Sequence, residues 1–547
     1  MSLPDSECTV SGLIRSKAAA DPERIFIVKG AVRLRYGEAE RRSARIARGL
    51  LASGVGKGTR VGILLPNGPD WVLAWLAVSR IGALVIPLNT FYQARELGFV
   101  LRHADVHTLL TAASFLNNDY LERLERYAPE LAAQGEGPLR VPSLPFLREV
   151  RIWDGDGSER AWCSRGAAAL EALADETPTI DDTLLREIER EVRPADPMVV
   201  IYSSGSTADP KGAVHTHGTV LRHADNLNQL RDLVPEDRIY SPMPFFWVGG
   251  FTFTLVSAMH VGARLYCQDV FEPGQTLDLI ERERITMVAG WPHFGKAMAE
   301  HPSFAGRDLS SIRAGNLYDL LPEEARPKDP ELRSNSLGMT ETCGPHTFGR
   351  MDGDLPEKLR GSFGRSVPGN QHKIIDPETG QTLGPGEIGE ICVRGYSVMQ
   401  GLYKVDREEA FDSDGYYHTG DVGFFDAEGH LFFKGRLGEM IKTGGANVAP
   451  REIELLLGAM PEVLSAHAVG IPHEQRGENV ALAVVLREGA RLDQATLQAR
   501  LKEELSAYKL PRHYFFVSIG EIPMTDSGKL DRRKLRETLA RRLEAGS

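Results

Sequence analysis

Apolar positions in the first hundred residues alternate between two periods. From Tyr36 their spacing is helical up to Leu51, with a stop near Gly54. Arg60–Leu65 (RVGILL) is a continuous run of strand length, and Pro66-Asn67-Gly68 is a turn. A helix over 70–80 and a strand over 83–88 follow. Alternating β and α with short connections predicts a mostly parallel, helix-covered sheet. The rhythm resumes at Met198–Tyr202 and runs to about 340. Residues 129–195 interrupt it with Pro/Gly-rich pieces (QGEGPLRVPSLP), a DGDG turn and the acidic run DDTLLREIEREV, which predict a peripheral connection and a surface helix. From 361 short strands separated by Gly, Pro and Asp (HKIID, GEICVRG, HLFFKGR) predict a β-rich subdomain. Past Arg436–Glu439 the pattern is helix 450–459, strands SAHAVGI and NVALAVVL, helix 493–506 and strand HYFFVS. The expected fold is therefore α/β. A large N-terminal domain spans 1–436, with mostly parallel sheets and a β-rich subdomain over about 361–436, and a small mobile α+β domain spans 437–547.

The most apolar stretch, WVLAWLAVSRIGALVIPLN from Trp71, is broken by Arg80, Gly82 and Pro87, too soon for the roughly 20 residues of a membrane span. A buried helix running into a buried strand is expected instead. A chain of 547 residues with 42% hydrophobic and 25% charged residues fits a multidomain globular protein, and a net charge of -11 disfavours a nucleic-acid partner. Five dispersed cysteines have neither metal-ligand spacing nor an even number, as in a reducing compartment. MSLPDSECTV lacks the basic and apolar regions of a signal peptide, so a cytoplasmic location is expected.

The densest chemical signal is Tyr202-Ser203-Ser204-Gly205-Ser206-Thr207-Ala208-Asp209-Pro210-Lys211-Gly212, after the β-branched run MVVIY. A strand ending in small hydroxyl residues and glycine exposes backbone N–H donors, and Lys211 adds a charge, which together suit a polyphosphate. The Walker A order is absent, and the residues alone also fit a Ser/Gly surface turn. The segment resembles the signature loop of the adenylate-forming superfamily: acyl-CoA synthetases, peptide-synthetase adenylation domains and firefly luciferase. Further motifs appear in that family's order as far as Lys529. The N-terminal region resembles the family only in general pattern.

The resemblance implies roles residue by residue. Gly338-Met339-Thr340-Glu341-Thr342 matches G-x-T-E, where Thr340 would touch phosphate and Glu341 would bind Mg²⁺, a cation that prefers carboxylate and phosphate oxygens. Tyr417-His418-Thr419-Gly420-Asp421 matches Y-x-T-G-D, where Asp421 would accept from the ribose hydroxyls, and Arg436 would be a second ribose contact. Gly438 and Glu439 fall at the family's hinge, where Gly438 replaces the usual Lys and Glu439 the usual Asp. Lys442, Gly444 and Gly445 resemble the loop lining the pantetheine path. Lys529 in Met524-Thr525-Asp526-Ser527-Gly528-Lys529 would be the catalytic lysine bridging the substrate carboxylate and the α-phosphate. Read without the resemblance, these pieces also fit a helix cap, a turn Asp, a Gly-Gly hairpin and a solvated Lys.

Several positions depart from the family. Trp247 replaces a His in Pro244-Phe245-Phe246-Trp247-Val248-Gly249-Gly250, Leu337 replaces an aromatic that stacks on adenine, Gly315-Asn316 replaces the usual Gly-Gly at the adenine wall, and Ala208 replaces a loop Gly. Phe246 and Trp247 stand where amino-acid-activating relatives carry an Asp for the ammonium, so an apolar acid such as a fatty acid is expected, with Gly249 and Gly250 leaving room for its tail. Each aromatic also fits a plain core position. The expected reaction consumes a small carboxylic acid, ATP and coenzyme A with Mg²⁺, in a chain without transmembrane segment, with a homodimer as the candidate assembly. Rival readings are adenylation for a carrier-protein thiol, and a non-catalytic nucleotide-binding relative.

Overall fold

The computed structural model describes residues 8–153, 160–203, 210–327, 329, 332–349, 353–437, 441–524 and 530–546. The chain divides into two compact units: Met1–Thr90, Leu97–Tyr202 and Gly212–Gly435 form the first, and Phe91–Glu96, Ser203–Lys211 and Arg436–Ser547 the second.

The first unit is built on two large sheets. One has eight strands in the order Gly401–Leu402, Lys211–Thr216, Pro197–Ser203, Leu84–Pro87, Arg60–Leu64, Thr108–Thr111, Glu149–Ile152 and Ser164–Arg165. From Pro197–Ser203 to the last edge the pairs are parallel. The other has six strands, Ala314–Gly315, Met287–Val288, Arg238–Tyr240, Arg264–Cys267, Ile25–Lys29 and Val32–Arg35, and is parallel except for its last hairpin. Parallel strands need crossover helices on both faces, which is why their sequences read as unbroken apolar runs.

The apolar stretch from Trp71 folds as the helix Pro69–Arg80 and the strand Leu84–Pro87, both buried. Trp71 and Trp75 pack edge-on against Phe251, and Trp71 also meets Phe245. Arg80 is only 1% exposed in this setting. Its charge is matched by Glu189 (Nε to Oε1, 2.5 Å), the Glu40 carbonyl and carboxylate, and the Ser43 hydroxyl. A buried charge is tolerated only with such a full set of partners.

Residues 129–195 depart from the expected periphery. Glu149–Ile152 pairs in parallel with Thr108–Thr111, Ser164–Arg165 extends that edge, and the helix Ala167–Glu176 packs on the helix Tyr36–Ala52. The approach is close enough that a Cβ on Gly49 would lie 2.1 Å from the Leu170 carbonyl. The strand escapes a reading by pattern because it is short, four residues, and flanked by irregular chain.

The 361–436 stretch forms a five-stranded sheet in the order Thr382–Leu383, Asn370–Ile375, Gly389–Gly395, Tyr417–Phe425 and Leu431–Arg436, antiparallel through the fourth strand. In the second unit, Gly477–Leu486 is central, paired antiparallel with Val463–His473 and parallel with His513–Phe516. Its side chains alternate between two cores. Val480, Leu482 and Val484 face Ile453, Leu457, Leu497 and Leu501, while Ala481, Ala483 and Val485 face Ile522, Leu535 and Leu539. Coverage of both faces explains the continuous run NVALAVVL. Among the described residues no helix is long and apolar enough to cross a membrane.

Candidate active site

The phosphate-loop candidates Ser204, Gly205, Ser206 and Thr207 lie outside the described residues, as do the hinge candidates Gly438 and Glu439 and the lysine candidate Lys529. What is described is the frame of the loop. Ser203 ends one strand of the eight-stranded sheet and Lys211 begins the neighbouring one. Gly212 is required there, since a Cβ would lie 2.6 Å from Val200 and 3.0 Å from the Tyr202 ring.

Thr340 and Glu341 occupy a single 3-10 turn, Thr340–Thr342, between the paired strands Leu337–Met339 and Gly344–Phe348. Gly338 sits opposite Pro345, and a Cβ on it would lie 2.6 Å from the Gly344 and Pro345 backbone. Both key carbonyls are pinned from elsewhere: His215 Nε2 donates to the Thr340 oxygen (2.8 Å) and the Met399 N–H to the Glu341 oxygen (2.8 Å). Burial pushes the His215 pKa down to about 4, so the imidazole is neutral and its Nε2–H is the donor. The Thr342 hydroxyl accepts from the Met339 N–H and donates to the Gly344 carbonyl (2.7 Å). With the backbone held by these bonds, the direction of the Thr340 and Glu341 side chains is set by the turn. Glu341 is 7% exposed.

The T-G-D motif is a bulge. Cys392 pairs with His418 and Glu390 with Val422, so two steps on one strand face four on the other, and Thr419-Gly420-Asp421 carries the excess. Gly420 takes a left-handed φ of 69°, which explains the glycine. Asp421 is buried, its N–H donating to the Thr419 hydroxyl (3.1 Å), whose own hydrogen goes to the Ile391 carbonyl (2.6 Å). Glu390 locks the bulge by accepting from the Gly420 N–H (3.0 Å) and from His418 Nδ1 (3.1 Å). Motif reading missed Glu390 because nothing in GEICVRG marks it; only the cross-strand register brings it to the bulge. Arg436 ends the adjacent strand Leu431–Arg436.

At the expected adenine wall, Gly315 has φ 142° and a Cβ on it would lie 1.9 Å from the Val288 carbonyl. The Asn316 amide closes on Gly290 in both directions, Nδ2 to its carbonyl (2.6 Å) and Oδ1 from its N–H (3.0 Å). Asn316 thus clips two strand ends together instead of presenting its amide to a base. Leu337 packs with Ile374, Ile391 and Leu431 in the core. A cavity of about 330 Å³ adjoins Gly315 and Asn316.

The proposed acid segment is aromatic throughout. Phe246 meets Trp247, Trp247 meets Trp291, and Trp291 stacks with Phe294, all with centroids within 6 Å. The two glycines do not hold open space in this arrangement, contrary to expectation. The Pro244 carbonyl would lie 2.0 Å from a Cβ on Gly250, so that glycine serves a tight backbone approach; the Met243 methyl fills the place beside Gly249. Next comes a π-helical segment, Phe251–Val256, with the Thr254 hydroxyl on the Gly249 carbonyl and the Ser257 hydroxyl on the Thr252 carbonyl, each five residues back. Such segments cluster at functional sites.

In the second unit Gly444 and Gly445 form a two-residue hairpin turn between Ile441–Thr443 and Ala446–Val448, with φ 58° and 81°. The Gly444 N–H donates to the Arg476 carbonyl (2.8 Å), and Arg476 Nη2 donates to the Thr443 hydroxyl (3.2 Å). Lys442 is exposed on the first strand of this hairpin.

The AMP-binding enzyme family model matches residues 14–403, and the model of its C-terminal domain matches 452–529. The chain belongs to the AMP-binding enzyme family. It is 32% identical to YngI of Bacillus subtilis, provisionally named an acyl-CoA synthetase, over 97% of this chain and 96% of that one. It is 31% identical to the mitochondrial medium-chain acyl-CoA ligase ACSF2 of Bos taurus, over 96% and 86%. Among solved structures, the amide bond synthetase McbA of Marinactinospora thermotolerans shares the fold at TM-score 0.77 and 24% identity, covering 97% of this chain and 99% of that one. Within the family, the chain is an AMP-forming acid–CoA ligase of the adenylate-forming superfamily.

Proposed function

We propose that the protein activates a hydrophobic carboxylic acid of the fatty-acid class as its acyl-adenylate and transfers the acyl group to coenzyme A. The acid carboxylate attacks the α-phosphorus of MgATP and pyrophosphate leaves; the CoA thiol then attacks the acyl carbon and AMP leaves. The observation carrying this reading is the pair of preformed motif turns, Thr340-Glu341 pinned by His215 and Met399, and Asp421 held in its bulge by Glu390. Preorganised donors and carboxylates save the reorganisation that the reaction would otherwise require. A nearly buried carboxylate on a rigid turn suits Mg²⁺, so Glu341 would share the ion with ATP phosphates, where its charge neutralises the polyphosphate. Asp421 would accept from the ribose, and by the family resemblance Arg436 would be a second ribose contact. By the family resemblance, Lys529 would stabilise negative charge developing at the α-phosphate, and Glu439 would be the pivot between domains 1–436 and 437–547.

The hydrophobic class of acid is supported by the aromatic run Phe246, Trp247 and Trp291, which puts apolar rings where a carboxylate would be needed to pair an ammonium group. The medium-chain ligase among the relatives points the same way. The test is acid-dependent AMP release over a series of acids, with and without CoA. Activity with medium-chain acids that needs CoA for turnover is expected. Turnover with CoA replaced by a carrier-protein thiol or an amine, and not with CoA, would overturn the choice of acceptor.

A further inference from the structure

The cavity of about 330 Å³ runs beside the parallel neighbours Met287–Val288 and Ala314–Gly315, from Arg313 before the second strand to Asn316 after it. Its lining is apolar at Phe253, Met287 and Ala289 and cationic at Arg231, Arg313 and Arg333. Two of these cations have their own anions. Arg313 bonds both oxygens of Asp237, and Arg333 Nε donates to Asp354 (2.8 Å). Arg231 does not. Its guanidinium lies 3.8 Å over the Phe253 ring and donates from Nη1 to the Phe253 carbonyl (2.6 Å). Among the described residues no carboxylate is within ion-pair distance of it, although Asp232 and Glu324 also line the cavity. Arg231 is only 9% exposed. Burial pushes its pKa down to about 9, with Asp237 acting against that through space, so the group remains a cation at neutral pH.

A buried cation without an anion is costly, and an anion entering the cavity would relieve that cost. A guanidinium fork is also the side chain best matched to a carboxylate. We propose that the acid substrate carries a second carboxylate at its far end and that Arg231 is its receptor. The hydrocarbon between the two carboxylates would lie against Phe253 and Met287. The inference rests on the acid-ligase reading and narrows its substrate to α,ω-dicarboxylic acids or close analogues with a terminal anion.

The test compares linear monocarboxylic acids with α,ω-dicarboxylic acids of matched length, using the full chain, ATP and CoA, and reading kcat/KM from AMP release. In the wild type one dicarboxylate length should be preferred at least ~10-fold over its monocarboxylate, the scale of one charge-assisted hydrogen bond. In Arg231→Met that ratio should fall to about 1, and Arg231→Lys should restore part of it. Direct binding of the dicarboxylate, followed calorimetrically without turnover, should weaken in the same order, and the melting temperatures show whether each variant is folded. Preference for monocarboxylates in the wild type, with both variants lowering all acids alike, would overturn the inference and leave the ligase reading intact. A raised KM for ATP in Arg231→Met with the acid ratio unchanged would assign the cation to a nucleotide phosphate and also overturn it. Release of AMP with no acid of either series would defeat the ligase reading itself.

Discussion

Glu390 provides a sharp test of the proposed ribose contact, because it would act on a nucleotide through the bulge that carries Asp421. Glu390→Ala removes the acceptor of the Gly420 N–H (3.0 Å) and of His418 Nδ1 (3.1 Å). The His418 ring is exposed and can turn to water, so the loss there is small. The Gly420 bond is to a charged acceptor that is 8% exposed, and such bonds contribute about 1.5–3 kcal/mol. If the bulge loses the lower figure, the conformer that presents Asp421 becomes rarer, and KM for ATP should rise ~10-fold, with a smaller change in kcat. Glu390→Gln keeps an amide oxygen for Gly420 and should recover most of that affinity. The assay is acid-dependent pyrophosphate exchange at varied ATP, alongside thermal melting. A melting temperature that falls while KM for ATP stays at the wild-type value would show that Glu390 only supports the sheet. A Gln variant as impaired as Ala would exclude the hydrogen bond as the cause.

Lys529→Ala should slow acyl-adenylate formation ~10²–10³-fold, the cost of removing one charge aimed at a developing anion, and exchange near the wild-type rate would end that assignment. Glu341→Gln should shift the Mg²⁺ titration of the same reaction to higher concentration, because a neutral amide is a poorer ligand for a hard cation; an unshifted curve would remove Glu341 from the metal. Glu439→Pro should impair transfer from purified acyl-adenylate to CoA more than adenylation, since proline restricts a pivot, and equal loss in both half-reactions would place the pivot elsewhere. Burial holds His215 and His217 at about 4 and His223 at about 3, all below their ordinary value, so the unfolded chain binds more protons than the folded one across that window. Stability should therefore be complete above about pH 6.5 and fall as the pH drops toward 4, by up to about 3 kcal/mol for His215 alone. Urea midpoints measured from pH 8 to 4.5 would check this, and a flat profile would contradict it.

What the sequence determined by itself is local in character. The helix from Tyr36, the strands at Arg60, Leu84 and Gly389, and the second unit's continuous run are legible because each records in its own residues whether one face or both are buried. The motifs are legible for a related reason: Gly-x-Thr-Glu and Thr-Gly-Asp are short local segments whose glycines follow from backbone form, as the left-handed Gly420 shows. Tertiary structure decided whatever depends on partners distant in the chain. Glu149–Ile152 is a strand because Thr108–Thr111 offers it an edge, not because its own pattern demands one. Asn316 is turned away from a base by Gly290, 26 residues earlier, and the space beside Gly250 is taken by the Pro244 carbonyl. His215 reaches across 125 residues to hold Thr340, and Glu390 meets Gly420 only because the strands pair with a bulge. Arg231 has the same status: an arginine at the end of a helix is unremarkable in sequence, and only packing against Phe253 makes it a buried cation beside a cavity. Periodicity reports burial of an element's own face; it carries no record of which other element covers that face, and that pairing sets the site's geometry.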